Sequence, residues 1–213
     1  MKTAVLFSGG KDSFYSLQEI SKSQSVDLLI VLESQVGEIQ LHAGPEVSNN
    51  LLQAQLNLID YPYKKIVLCS RANYLQDLFY KISNLVSKET VKNLVTGDLW
   101  HPYTSGITEM LAASLGVKLI RPARDICFDI NQSNRYMNKV LNSGIKSVIV
   151  SVRKGGLSSE FVGKEINSDL LTELQAIEND IAAEGGQYQS FVIESPLLSA
   201  KIKIDDFDIE IVN

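Results

Sequence analysis

Residues 3–13 read TAVLFSGGKDS. Thr3 to Phe7 have the pattern of a short buried strand, and the spacing that follows predicts a helix from Ser13 to Ile20. Gly9 and Gly10 stand where the strand ends and the helix begins. Glycine there permits positive φ and close approach of a ligand to the backbone. The successive amides of Ser8, Gly9, Gly10 and Lys11 can form an anion nest, and the free N–H groups of a first helical turn add to it. Ser8 and Ser13 bring hydroxyl donors, and Lys11 brings a cation suited to phosphate oxygens. Asp12 repels a bare phosphate, so its expected task is to help hold Mg²⁺. The spacing is neither that of a Walker A loop nor GxGxxG. A tight turn with a polar helix cap is the bland alternative. It explains less, because position and chemistry coincide.

Outward from this loop, strand and helix alternate. The pattern predicts strands at Asp27–Leu32, Lys65–Cys69, Asn93–Thr96 and Val117–Ile120, and helices at Asn49–Ile59, Tyr74–Ser87 and Thr108–Leu115, the last capped by Gly116. Short apolar strands between amphipathic helices imply an α/β fold with a doubly wound parallel sheet. After Arg121–Pro122 the pattern changes. A helix is expected at Asn134–Ser143, a strand at Ile145–Val152, glycine turns in KGGLSSEFVGKEI, a helix at Asp169–Ala182 and a strand at Tyr188–Glu194. Residues 200–212 alternate apolar and acidic side chains, as edge strands or a hairpin do. The expected division is therefore 1–121 and 122–213, the second a smaller α+β domain.

The 213 residues are 45% apolar and carry a formal net charge of −5, with a pI near 5.1. That balance disfavours an extended nucleic-acid surface. Cys69 and Cys127 form neither a disulfide framework nor a CxxC pair, and a reducing, cytoplasmic setting is the simplest expectation. No apolar run reaches membrane-spanning length, and no signal-peptide pattern opens the chain. His42 and His101 lack carboxylate partners at zinc spacing. His42 follows a strand-to-loop turn where such sheets bind ligands, although a loop role accounts for it equally well. His101, in GDLWHPY, is more simply packed among Trp100, Pro102 and Tyr103. Gly97–Asp98 end the fourth strand, so Asp98 is expected to face the crevice, to bind Mg²⁺ or to position a substrate, unless it only starts a turn. Glu184, Gly185 and Gly186 precede a strand. By spacing alone they read as a turn.

SGGKDS at the end of the first strand resembles the signature of the PP-loop ATP pyrophosphatases. Within that superfamily the chain is similar to the diphthine–ammonia ligase family along nearly its whole length. LHAGPEVSNNLLQAQLNLIDYP resembles the family's histidine segment and the helix after it, VTGDLW its GD segment, and KGGLSSEFVG its second-domain glycine turn. EGGQYQSFVIESPLL is similar to its most specific motif, EGGEYETxVxDGPL. The chain departs from the pattern at Ala182–Ala183, where Cys-Gly is usual, and at Gln187 and Gln189, where glutamates are usual. TSGITE lacks the usual arginines and keeps only Glu109.

The resemblance implies an ATP-dependent, AMP-forming ligase. A carboxylate is activated as an acyl-adenylate, pyrophosphate leaves, and ammonia attacks. It implies ATP over Ser8, Gly9, Gly10, Lys11, Asp12 and Ser13, with His42 and Gly97 nearby. Lys11, Asp12, Asp98 and Glu184 take catalytic roles, and Asp12 and Asp98 hold the metal. An acceptor site comprises Glu109, Gly185, Gly186, Gln187 and Tyr188. The implied partners are ammonium and a protein acceptor like translation elongation factor 2, and a homo-oligomer is compatible with all of this. Two alternatives stay open: a nucleotide module that binds or hydrolyses ATP without an acceptor, and a related PP-loop ligase with a different acceptor.

Overall fold

The structure is a computed structural model. It describes residues 1–34, 49–68, 73–153 and 156–204. His42, Cys69, Lys154, Gly155 and the expected strand pattern beyond residue 204 lie outside the described residues.

Five parallel strands form the larger sheet: β1 (Lys2–Phe7), β2 (Leu28–Ser34), β3 (Tyr63–Leu68), β4 (Val91–Val95) and β5 (Lys118–Ile120), in the spatial order β3-β2-β1-β4-β5. The helices α1 (Lys11–Ser21), α2 (Asn49–Leu58), α3 (Tyr74–Glu89) and α4 (Pro102–Leu115) connect them. The two faces of the sheet bury alternate residues of each strand, as a period of two requires. Val5, Phe7, Leu29, Val31 and Val95 pack with α1 and α2, whereas Ala4, Leu6, Leu28, Ile30 and Leu94 pack with α3 and α4. The expected doubly wound sheet is therefore present. Its strand order reverses between β1 and β4, and ligands of such sheets bind in the crevice that opens beyond the carboxyl ends at that point.

The smaller unit contains α5 (Ser133–Asn142), β6 (Lys146–Val152), α6 (Ser168–Gln175) and β7 (Tyr188–Glu194). β6 and β7 pair antiparallel. This sheet packs onto the first loop: the Val192 N–H donates to the Gly9 carbonyl at 3.1 Å. One cluster of buried residues runs without a break from Phe7, Phe14 and Leu17 to Tyr136, Met137, Ile149, Leu174 and Val192.

Several helix boundaries differ from the sequence reading, and three of the differences are instructive. The first helix begins at Lys11, not Ser13, with Gly10 as its N-cap. The fourth begins at Pro102, six residues before the expected Thr108, because extended His101 and Pro102 make a ready helix start. The sixth ends at Gln175, not Ala182: Glu178 Oε1 accepts the N–H groups of Asn179 and Asp180, and this local bonding replaces the helical pattern. Residues 200–204 form no strand.

Candidate functional site

Lys11 and Asp12 are the first two residues of α1, and their side chains bond to the smaller unit. Lys11 is 2% exposed. Its Nζ donates to the Ala182 carbonyl at 2.6 Å and to Asp12 Oδ2 at 2.9 Å, and it lies 5.5 Å from the centre of the Tyr188 ring. Burial opposes the charge, but Asp12, Tyr188 and Asp180 more than offset it, and the Lys11 pKa lies above the ordinary lysine value. The other oxygen of Asp12, Oδ1, accepts from the Tyr136 hydroxyl at 2.8 Å. Burial first, and Asp12 next, keep that phenol protonated far beyond its usual range.

The glycines are fitted to their neighbours. Gly9 has φ +79°, and a Cβ there would stand 2.3 Å from Gln55 Oε1. Gln55 is fully buried, and its amide donates to the Gly9 carbonyl at 2.9 Å and to the Val192 carbonyl at 2.7 Å. Gly10 faces Ser190, whose hydroxyl accepts the Lys11 N–H at 3.2 Å. The Ser8 hydroxyl donates to Ser13 Oγ at 3.3 Å, and Ser13 Oγ donates to the Gly10 carbonyl at 2.9 Å. Gly97 lies against the backbone of Asp12 and Ser13, where a Cβ would meet main-chain atoms at 2.8–2.9 Å. Its smallness lets β4's end touch α1.

Asp98 is 4% exposed. It accepts from the Thr96 hydroxyl and, at 3.3 Å, from the Thr108 hydroxyl, and Arg121 lies 3.6 Å from Oδ2. Glu109 is exposed and pairs with the same Arg121 at 2.7 Å. Arg124 donates to the Leu99 carbonyl and to Ser105 Oγ, bracing the turn before α4.

Glu184 crosses from the smaller unit into this crevice. Its Oε1 accepts the Leu99 N–H at 3.1 Å and the Thr104 hydroxyl at 2.7 Å. Thr104 lies in the first turn of α4, where a negative charge is favoured, and Leu99 in the segment that leads into it. Burial, and then the charges of Asp12 and Asp98, nonetheless raise its pKa from 4.5 to about 7. Gly185 donates its N–H to Asp180, Gly186 takes φ +82°, and the Gln187 amide lies over Gly185. Tyr188 is buried, and its hydroxyl donates to the Ile181 carbonyl at 2.7 Å. The structure thus brings Lys11, Asp12, Asp98 and Glu184 to one crevice. Tyr188 lies against Lys11, and Glu109 pairs with the Arg121 that also approaches Asp98.

Tyr136, Thr96, Thr104, Asp180, Gln55 and Arg124 went unnoticed in the sequence. They are single residues without a motif, and only their tertiary partners mark them out. Among the described residues no group of three or more His, Cys, Asp or Glu is arranged to hold a metal ion. Magnesium, however, commonly takes only one or two carboxylates and completes its shell with phosphate and water oxygens. Asp12, with its side chain 27% exposed, suits that hard-oxygen chemistry. Asp12 and Asp98 both have their two oxygens engaged by neighbours, and Asp12 is the more open to solvent of the two.

Comparison with known proteins agrees with this geometry. A family model described as the diphthamide synthase N-terminal domain matches residues 1–119, and one described as the diphthamide synthase C-terminal domain matches residues 132–212. The chain is 23% identical to a diphthine–ammonia ligase of Mus musculus, over 96% of this chain and 83% of that protein. It is 25% identical to that of Schizosaccharomyces pombe, over 98% of this chain but only 37% of that longer protein, and 24% identical to that of Homo sapiens, over 99% and 85%. Among solved structures, a predicted subunit of tRNA methyltransferase from Methanocaldococcus jannaschii aligns with 95% of this chain and 100% of that one, at a TM-score of 0.48 and 14% identity. With both family models matched in order over nearly the whole chain, the chain belongs to the diphthamide synthase family.

Proposed function

We propose that this protein is an ATP-dependent amide-forming ligase that joins ammonia to a carboxylate on a protein acceptor, with release of AMP and pyrophosphate. The observation that carries the reading is the pairing of the two loops: Glu184 bonds to Leu99 and Thr104 beside the carboxyl end of β4, while Lys11 bonds to Ala182. An acid and a phosphate-binding junction then face one crevice. Residues 1–121 act as the ATP-binding part and 122–213 supply the acceptor side.

In the first step an acceptor carboxylate oxygen bonds to the α-phosphorus of ATP as the bond to the bridging oxygen of pyrophosphate breaks. The amides of the Gly9–Gly10 turn meet the developing charge. In the second, ammonia attacks the acyl carbon and AMP leaves with the bonding pair. Glu184, poised near neutrality, accepts the proton that ammonium must lose to become a nucleophile. Mg²⁺, when bound, neutralises phosphate charge, and Asp12 is the residue best suited to hold it. Asp98, tied to two threonines and Arg121, orients the start of α4 for Glu184. The acceptor is of the elongation factor 2 kind that the family resemblance implies.

The test is chromatography of nucleotide products after incubation with ATP, Mg²⁺, ammonium and the unamidated acceptor. AMP and pyrophosphate, in amounts that depend on both ammonium and acceptor, support the reading. ADP as the main product, or AMP formed equally without acceptor, overturns it.

A further inference from the structure

Loop 180–186, between α6 and β7, has every early carbonyl occupied. The Asp180 carbonyl accepts the Ala183 N–H at 3.1 Å, and the Ala183 carbonyl accepts the Gly186 N–H at 3.0 Å. The Ile181 carbonyl takes the Tyr188 hydroxyl, and the Ala182 carbonyl takes the Lys11 ammonium. Two residues, Ala183 at φ +59° and Gly186 at φ +82°, stand in the left-handed region. A surface turn between helix and strand does not need so many partners. The residue that closes the loop is Asp180. It is 1% exposed, its Oδ2 accepts the Gly185 N–H at 2.8 Å, and its Oδ1 accepts the Ser133 hydroxyl of α5 at 3.3 Å.

We propose that Asp180 is a positioning residue: by holding the Gly185 N–H it fixes the loop in the conformation that carries the Glu184 carboxylate onto Leu99 and Thr104. The inference rests on the reading of Glu184 as the acid of the acceptor side. Asp180 adds to the negative charge around Lys11, but its hydrogen bonds serve the loop. Lys11 has its own carboxylate in Asp12 at 2.9 Å, whereas both of Asp180's hydrogen bonds come from neutral donors, one of them the residue next to Glu184. A carboxylate accepts such bonds more strongly than an amide or hydroxyl does. Ser133 anchors it to α5, the helix whose Tyr136 holds Asp12. One helix therefore sets two carboxylates of the crevice, directly at Asp12 and through Asp180 at Glu184.

The test reads amide hydrogen exchange and steady-state turnover in parallel, on the full chain. In the parent protein the Gly185 amide should be protected; rapid exchange there overturns the proposal without any variant. In Asp180→Ala the Gly185 amide should exchange about tenfold faster, as expected for one lost hydrogen bond. Pyrophosphate release with ATP, ammonium and acceptor should lose about 10–100-fold in kcat, the scale for a misplaced catalytic group. The ATP KM should stay within about twofold, since the phosphate loop is untouched. Asp180→Asn keeps an acceptor oxygen and should restore both readouts. If Asp180→Ala does not fold, Asp180→Leu, which fills the space without an acceptor, carries the same expectation. Unchanged Gly185 protection in the alanine or leucine variant, or an asparagine variant as damaged as they are, overturns the proposal. The exchange measurement needs neither nucleotide nor acceptor. A parent protein that makes no AMP would sink the ligase reading and leave the positioning result standing by itself.

Discussion

The Lys11 ammonium donates a 2.6 Å hydrogen bond to the Ala182 carbonyl, 171 residues further along the chain. The lysine of the first loop is thus a buried tie between the large sheet and the loop that bears Glu184. Lys11→Met removes that tie and leaves the Ala182 carbonyl without its donor. Because Asp12 keeps some solvent, the loss should be on the order of 2–3 kcal/mol, below the value for a fully buried ion pair. Urea denaturation measures it. A change under about 0.5 kcal/mol, the usual scale of a surface substitution, would show that the ammonium is not part of the interface.

Glu184 should make stability depend on pH. Its folded-state pKa, about 7, lies above the ordinary 4.5. Between those values this group binds more protons in the folded protein than in the unfolded chain, so its contribution to stability is greatest below 4.5 and falls as pH rises toward 7. Glu184→Gln keeps an oxygen for Leu99 and Thr104 but has no charge to bury. Its profile should lack this fall, and at pH 8 it should exceed the parent by about 3–3.5 kcal/mol, from roughly 1.4 kcal/mol per pKa unit. Thermal melts of both proteins from pH 4 to 8 decide it; parallel profiles would place the Glu184 carboxylate in water.

The same substitution separates acid from nucleotide. Glu184→Gln should leave ATP affinity within about twofold and lower ammonium-dependent turnover by about 10–1,000-fold, the scale for loss of a general base and its charge. Calorimetric ATP titration and a pyrophosphate assay read the two halves. A large loss of ATP affinity would instead put Glu184 against the nucleotide.

Ala183 holds φ +59°, where glycine costs nothing and alanine is strained. Ala183→Gly should relieve that strain while giving the unfolded chain more freedom, for a net gain of about 0.5–1 kcal/mol. The midpoint of denaturant unfolding reports it directly. A destabilised variant would mean that the methyl's packing outweighs the backbone term.

Gly97→Ala should be strongly damaging. The new carbon would meet the Asp12 and Ser13 backbone at 2.8–2.9 Å, where no side chain can swing aside. Pushing α1 off the end of β4 should cost about 1–3 kcal/mol or more and weaken ATP binding with it. Full stability and normal ATP affinity in this variant would contradict the close approach.

Much of this was legible in the sequence for local reasons. TAVLF and DLLIVL read as central strands because every residue of a parallel strand is buried on one face or the other, which leaves an apolar run. β7 was bounded correctly at Tyr188–Glu194 because glycines precede it and proline follows. The start of α4 was missed although His-Pro announces it, since the threonine, serine and glycine behind it have weak helix propensity. The end of α6 was missed because IENDIAA keeps helical spacing while Glu178 diverts the backbone.

The sequence by itself determined the sheet's class, the place of the glycine turn after β1 and the presence of a second glycine loop. These follow from periodicity and from the conformational freedom of glycine, both local properties of the chain. Only the tertiary structure decided what the charged side chains do. Lys11 reaches Ala182, Tyr136 holds Asp12, Asp98 is enclosed by Thr96, Thr108 and Arg121, and Glu184 crosses to the start of α4. A charge entering a crevice is governed by which distant donors are there to replace water, and those donors are assembled by packing that no local pattern encodes.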